Sequence, residues 1–214
     1  MIVDERIVTF INSLETENSE QLEAIEREAL ESFVPIIKKE TQSLLKVLLS
    51  IQKPMRILEV GTAVGFSALL MSEYAPPGCT ITTIENYEKR IPVARENFRR
   101  MGKGNQITLI PGDAREVLEQ LEGEFDFIFM DAAKGQYIYY LPQVLRLLAD
   151  SGTLVSDNVL QEGEVIESRF AVERRNRTIH SRMREYLYIL KHHDELITSI
   201  MPLGDGIAVS SKKG

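Results

Sequence analysis

Residues 56–65 read RILEVGTAVG, a short run of strand-forming apolar residues passing directly into a G-x-x-x-G loop. A strand with almost no polar interruption suits a parallel sheet covered on both faces. Glycines at its carboxyl end let backbone approach a ligand and adopt dihedrals that a side chain resists. On the C-terminal side the same alternation repeats. Strand-length apolar segments at 80–85, 107–111, 125–131 and 152–157 are separated by amphipathic segments around 67–74, 88–101, 114–121 and 137–149. Such alternation predicts an α/β fold with a doubly wound sheet. The glycine spacing is not the G-x-G-x-x-G of dinucleotide sites, and no Gly-Lys-Ser/Thr follows, so phosphate is not the expected guest of this loop.

On the N-terminal side, apolar residues recur at helical spacing: Ile7, Ile11 and Leu14, then Leu22, Ile25, Ala29 and Phe33, then Ile37, Leu44, Leu45 and Leu48. This pattern predicts three helices in an extension over residues 1–50, with Pro35 marking a break before the third. Beyond residue 158, Ile179, Met183, Leu187 and Leu190 mark one face of a long amphipathic helix predicted over 169–193. Strands at 197–202 and 206–211, joined by Leu203-Gly204-Asp205, read as a hairpin. The sum is a Rossmann-like, seven-stranded, mostly parallel sheet with an antiparallel last strand, plus N-terminal helices. No linker or repeat divides the chain, so residues 1–214 are expected to form a single domain with its core over 55–214.

The 214 residues, 43% of them hydrophobic and 27% charged, are enough to close a substantial core. The lone Cys79 excludes an internal disulfide and fits a reducing, cytoplasmic setting. The N-terminus lacks the pattern of a secretory signal, and no stretch approaches a membrane span. A formal charge of −7 disfavours indiscriminate attraction to polyanions while leaving room for a local basic patch.

Four successive strands end in acids: Glu59, Glu85, Asp113 and Asp131. Capping of the following helix accounts for any one of them. Four together suit a rim for a cationic or hydroxyl-rich ligand, because ionised carboxylates avoid burial without partners. Glu85, ending the second strand, stands where an acid accepts ribose hydroxyls. Asp131-Ala132-Ala133-Lys134 closes the fourth strand and Asp157-Asn158 the fifth, and adjacent strands are only about 4.8 Å apart. Two carboxylates and an amide oxygen are hard donors of the kind that hold magnesium or manganese. Lys134 is then either a general base toward a metal-bound hydroxyl or the ion-pair partner of Asp131.

The motifs ILEVGTAVGFSALLM, TTIENYEK, IPGDARE, FDFIFMDAAK, GTLVSDNVL and MPLGDGIAVS resemble those of the class I, metal-dependent S-adenosylmethionine O-methyltransferases of the catechol and caffeoyl-CoA type, over residues 34–210. The resemblance implies that Glu59, Gly61 and Ser67 surround the methionine portion of S-adenosyl-L-methionine and that Ile36, just before the sheet, is the residue of the N-terminal region that touches the cofactor. By the same likeness Glu85 grips the ribose, Asp113 and Ala114 lie against adenine, and Asp131 borders the cofactor. It further implies that Asp131, Asp157 and Asn158 bind Mg2+ or Mn2+ and that Lys134 is the catalytic lysine. Relatives of this type are often dimers, so a homodimer is expected.

Residues 169–184 carry six arginines against the single acid Glu173. Arg174, Arg175 and Arg177 are candidate contacts for a phosphodiester backbone, the alternative being a solvated helix face. The chain has no tryptophan, and the loop VLQEGEVIESR offers no aromatic walls for a phenol ring. The chain is similar to bacterial enzymes that methylate 5-hydroxyuridine at the tRNA wobble position to 5-methoxyuridine, which makes the tRNA anticodon region the expected partner. A small catechol or phenolic acceptor is the second reading, and a non-catalytic RNA- or protein-binding module the third. His180, His192 and His193 read as surface or helix-end residues, at least one of Tyr137, Tyr139 and Tyr140 as core, and Asp205 as a turn residue.

Overall fold

The computed structural model describes residues 3–214. Three helices open the chain: α1 (Glu5–Asn12), α2 (Glu20–Glu31) and α3 (Lys39–Gln52). Asp4 and Ser19 cap the first two, their side chains accepting from Arg6 N and Leu22 N. The third ends at Lys53, which is left-handed at φ 50° just ahead of Pro54. Strand β1 (Arg56–Val60) then begins the alternation: α4 (Phe66–Tyr74), β2 (Thr80–Glu85), α5 (Ile91–Arg100), β3 (Ile107–Pro111), α6 (Ala114–Gln120), β4 (Phe125–Met130), α7 (Tyr137–Leu147) and β5 (Leu148–Ser156). Helix α8 (Arg177–His192) and the hairpin of β6 (Leu196–Met201) and β7 (Ile207–Lys212) complete it.

The seven strands lie in the order β3-β2-β1-β4-β5-β7-β6. Pairing is parallel from β3 through β5, and β7 runs antiparallel between β5 and β6. Successive residues of β1 divide between two cores, as the two-residue period of a strand requires. Ile57 packs with Phe127 and Phe129 among residues of α2 to α5, whereas Leu58 and Val60 pack with Ile128 and Met130 among residues of α6, α7 and α8. That double cover is why the central strands read as unbroken apolar runs. Helix α1 buries none of its residues and leaves Phe10 and Leu14 near it exposed. No helix among the described residues is long and apolar enough to cross a membrane.

Three boundaries differ from expectation. Helix α8 starts at Arg177 and not near residue 169, because the Arg177 guanidinium itself takes the carbonyls of Val172 and Phe170 and the chain before it turns. Helix α7 stops at Leu147 and passes straight into β5, whose pairing with β4 shifts register between Phe125 and Phe127. Helix α5 begins at Ile91, where Pro92 fits the first turn.

Candidate active site

The carboxyl ends of β1, β2, β4 and β5 open into a cavity of about 610 Å³. Gly61 lines it where the ends of β1 and β4 run closest together. A Cβ built there would lie 2.1 Å from the carbonyl oxygen of Asp131, and the residue sits at φ +102°. The end of β1 and the loop after β4 therefore pass too closely for any side chain.

Ile36, Gly61, Ser67, Glu85, Ala114, Asp131, Lys134, Asp157 and Asn158 all line this cavity. Glu85 is fixed at its wall by two backbone donors, Ala63 N at 2.7 Å and Tyr87 N at 2.8 Å. Asn158, left-handed at φ 61°, a conformation asparagine tolerates better than most residues, donates from Nδ2 to Asp131 Oδ1 at 3.1 Å. Its own backbone N–H reaches Asp157 Oδ1 at 2.7 Å. The ends of neighbouring strands thus bring both acids and the amide to one wall.

Burial pushes the Asp157 carboxyl up to about 7, with the Asp131 charge adding to it, and burial raises Asp131 as well. Two carboxylates crowded in this way fit a divalent cation, and with the Asn158 oxygen they form an all-oxygen donor set. The amide now turns its nitrogen toward Asp131, so lending its oxygen requires a half-turn of that group. Among the described residues no three His, Cys, Asp or Glu side chains are grouped to hold a metal; the oxygen donors that meet at this wall are Asp131, Asp157 and the Asn158 amide. Lys134 opens the short 3-10 turn Lys134–Gln136. Its charge acts on Asp131, yet no salt bridge joins the two among the described residues, so the ion-pair alternative is not realised.

Other expected contacts lie elsewhere. Glu59 does not line the cavity: it is fully buried and accepts from Ser67 Oγ and Thr83 Oγ1, both at 2.5 Å. Burial, with the Asp131 and Glu85 charges adding to it, raises its carboxyl to about 8. Asp113 is also absent from the lining; its side chain caps α6 through Arg115 N at 2.8 Å. The expected rim of four acids is therefore a pair, Glu85 and Asp131, joined by Asp157. Arg174, Arg175 and Arg177 do not line the cavity either. Arg175 pairs with Glu173 at 2.7 Å, Arg177 is used by the carbonyls before α8, and Arg174 is exposed. His180 is buried, contrary to expectation, with Nε2 at 3.0 Å from the carbonyl of Glu167.

Sequence reasoning overlooked Lys38, Tyr87 and Arg90, which also line the cavity together with Tyr140, one of the three tyrosines singled out after Lys134, and Asp205, read from the sequence only as a turn residue. Asp205 does sit in the predicted turn, closed by Gly206 N to Leu203 O at 2.8 Å, but its carboxylate faces the site and pairs with Lys38 at 2.6 Å. Gly206 permits this placement, since a Cβ there would meet Leu160 at 2.4 Å.

A cavity at the carboxyl ends of parallel strands, with an acid ending the second strand and two acids ending the fourth and fifth, defines an α/β protein of nucleoside-binding type. Within that class the chain belongs to the O-methyltransferase family, whose model matches residues 12–213. A Staphylococcus aureus protein of proposed caffeoyl-CoA O-methyltransferase activity superposes with a TM-score of 0.89 at 30% identity, covering 98% of this chain and all of that one. The S-adenosylhomocysteine-bound methyltransferase PaMTH1 of Podospora anserina superposes with a TM-score of 0.86 at 27% identity, over 98% and 95% of the two chains. The catechol O-methyltransferase of Niastella koreensis is 35% identical over 127 residues, 58% of each chain. For that protein and a Mycobacterium tuberculosis catechol O-methyltransferase, the matched stretch spans only 58% and 51% of the relative's length.

Proposed function

We propose that the protein transfers the methyl group of S-adenosyl-L-methionine to a hydroxyl oxygen that has a second oxygen beside it. The observation that carries this reading is that Asp131, Asp157, Asn158 and Lys134 line the same cavity as Gly61 and Glu85. Gly61 presents its backbone to the cofactor where β1 and the loop after β4 close together, and Glu85 accepts from the ribose hydroxyls. Ile36, Ser67 and Ala114 supply further wall for the cofactor. Asp131, Asp157 and Asn158 would hold Mg2+ or Mn2+, which supplies Lewis acidity toward the two neighbouring acceptor oxygens. Lys134 Nζ takes the proton of the acceptor hydroxyl, and the walls hold that oxygen in line with the sulfonium carbon.

For the acceptor, we infer 5-hydroxyuridine in the wobble position of tRNA, whose 5-hydroxyl and 4-carbonyl form the required oxygen pair. Support comes from the cationic surroundings of Lys134. Arg115 and Arg182 flank the half-exposed Tyr139 ring at 5.9 and 4.9 Å, and Arg182 donates to the carbonyl of Gly135 beside Lys134. Exposed Arg169 and Arg174 extend the positive charge. Guanidinium groups around an aromatic ring suit a nucleic-acid strand. The names of the similar catechol O-methyltransferases favour a second reading, a small vicinal diol on an aromatic ring.

The deciding experiment incubates the protein with S-adenosyl-L-methionine and MgCl2, offering either undermodified tRNA or a panel of catechols, and analyses products by mass. Conversion of 5-hydroxyuridine to 5-methoxyuridine, abolished by chelator, is the expected result. Methylation of catechols alone moves the assignment to the second reading. Binding of tRNA with no transfer to either acceptor leaves a binding module.

A further inference from the structure

The fully buried Tyr137 has no place in the chemistry above, yet its hydroxyl touches the backbone on both sides of the site. It lies 3.0 Å from the carbonyl oxygen of Met130 and 3.1 Å from that of Asp157, and it accepts from Ala132 N at 3.2 Å. Met130 and Ala132 are the two chain neighbours of Asp131, so one hydroxyl spans the residue that follows β4 and the residue that follows β5. The direct ladder bond between these strand ends, Asp157 N to Met130 O at 2.9 Å, reaches the same carbonyl. The Tyr137 ring packs edge-on against Tyr186 at 5.5 Å between centroids, and the Tyr186 hydroxyl bonds Ser156 at 2.6 Å without touching Tyr137 or either acid's backbone.

We propose that Tyr137 is a positioning residue whose hydroxyl sets the separation of the Asp131 and Asp157 carboxylates and so the affinity of the site for a divalent cation. The inference rests on the reading of those two acids as cation ligands. Asp157 is tied to β4 by its own N–H on Met130 O, whereas the N–H of Asp131 goes to Val60 O on β1, so the Tyr137 hydroxyl is the side-chain link that joins the Asp157 carbonyl to both chain neighbours of Asp131, and a buried hydroxyl bonded on two sides is a stiff connector in a low-dielectric interior. Ligands held by such outer contacts commonly lose tenfold or more in metal affinity when the contact is cut.

The test uses the full chain and Tyr137→Phe, which keeps the ring and its contact with Tyr186 and removes only the oxygen. Mn2+ binding is followed by electron paramagnetic resonance, S-adenosylhomocysteine binding by calorimetry, and the exchange of the Ala132 amide by NMR. The expected result is about tenfold weaker Mn2+ binding and faster exchange at Ala132, with S-adenosylhomocysteine affinity within twofold of the parent. Tyr186→Phe is the control: it removes a hydroxyl from the same core that touches neither acid's backbone, and it should lower thermal stability without moving Mn2+ affinity. Unchanged Mn2+ binding in Tyr137→Phe overturns the proposal, as does an equal loss in Tyr186→Phe. Should Tyr137→Phe not fold, 3-fluorotyrosine placed at 137 in the intact chain reports instead: its fluorine signal must move with Mg2+ at the concentrations that saturate the site, and a static signal overturns the proposal. If the parent chain binds no Mn2+ and Asp131→Asn changes nothing, the cation-ligand reading itself fails, an outcome distinct from either of these.

Discussion

Lys38 Nζ and Asp205 Oδ1 meet at 2.6 Å, joining the segment before α3 to the β6–β7 hairpin at the edge of the cavity. The hairpin is bolted from its other side as well, with Val159 N bonded to Gly206 O and Leu160 N to Asp205 O. The ion pair is partly exposed, so its worth to global stability is about 1 kcal/mol or less. Its worth to the cavity is greater, since it fixes two walls. Lys38→Met should lower the melting temperature by no more than a few degrees while weakening S-adenosylhomocysteine binding several-fold by calorimetry. Equal affinity in the variant would show that the walls hold without the pair.

Gly61→Ala tests the close approach of β1 and the loop after β4. A methyl group 2.1 Å from a carbonyl oxygen forces backbone apart, and the positive φ adds strain. A loss of at least ~3 kcal/mol is expected from the urea midpoint, with cofactor affinity below detection. A variant with parental stability and affinity would contradict the geometry.

Lys134→Met removes the proposed proton acceptor but leaves the methylene stem. Positioned general bases contribute about 10²- to 10⁴-fold, so kcat should fall by that range while S-adenosylhomocysteine affinity holds. Single-turnover transfer and calorimetry together give the answer, and retention of kcat would remove Lys134 from its role.

Glu59 carries a pH prediction. Its folded value is raised to about 8, above the ordinary glutamate value of the unfolded chain. A raised value means the group costs the fold nothing at low pH, where both states hold the proton. Stability is then lost as pH rises from about 4.5 toward 8, at ~1.4 kcal/mol per unit of the difference. Glu59→Gln, which stays neutral, should therefore gain on the parent across that window in urea titrations, after an initial penalty of about 1 kcal/mol for a weakened bond to Ser67 or Thr83. A stability difference that does not vary with pH would mean the carboxyl is ionised when buried.

Much of this was legible in residue order. The first three strands fall where periodicity put them, because two covered faces leave a plain apolar signature. Gly61, Glu85, Asp131, Lys134, Asp157 and Asn158 reach one cavity because strand ends converge whenever a sheet is parallel. Glu59 misled for a related reason: the side-chain period of two turns a strand acid inward one residue and outward the next, and nothing local reveals that Ser67 and Thr83 wait for it. The arginine run was legible as charge but not as contacts. Composition counted six cations alike, whereas Arg177, Arg182 and Arg184 spend donors on the carbonyls of Val172, Gly135 and Val165. Asp205 and Lys38 stayed hidden because their meaning appears only when positions distant in the chain come together.

The placement of β7 between β5 and β6 has a bearing on biosynthesis. A ribosome delivers β6 before the strand that must separate it from β5, so the outer third of the sheet cannot zip up in the order of translation. Until the closing segment emerges, the flank of β5 stays open and the hairpin that carries Asp205 lacks its second strand. Nascent chains arrested short of Ile207 should recruit chaperones and remain blind to the cofactor, and competence should arrive in a single step with the final strand.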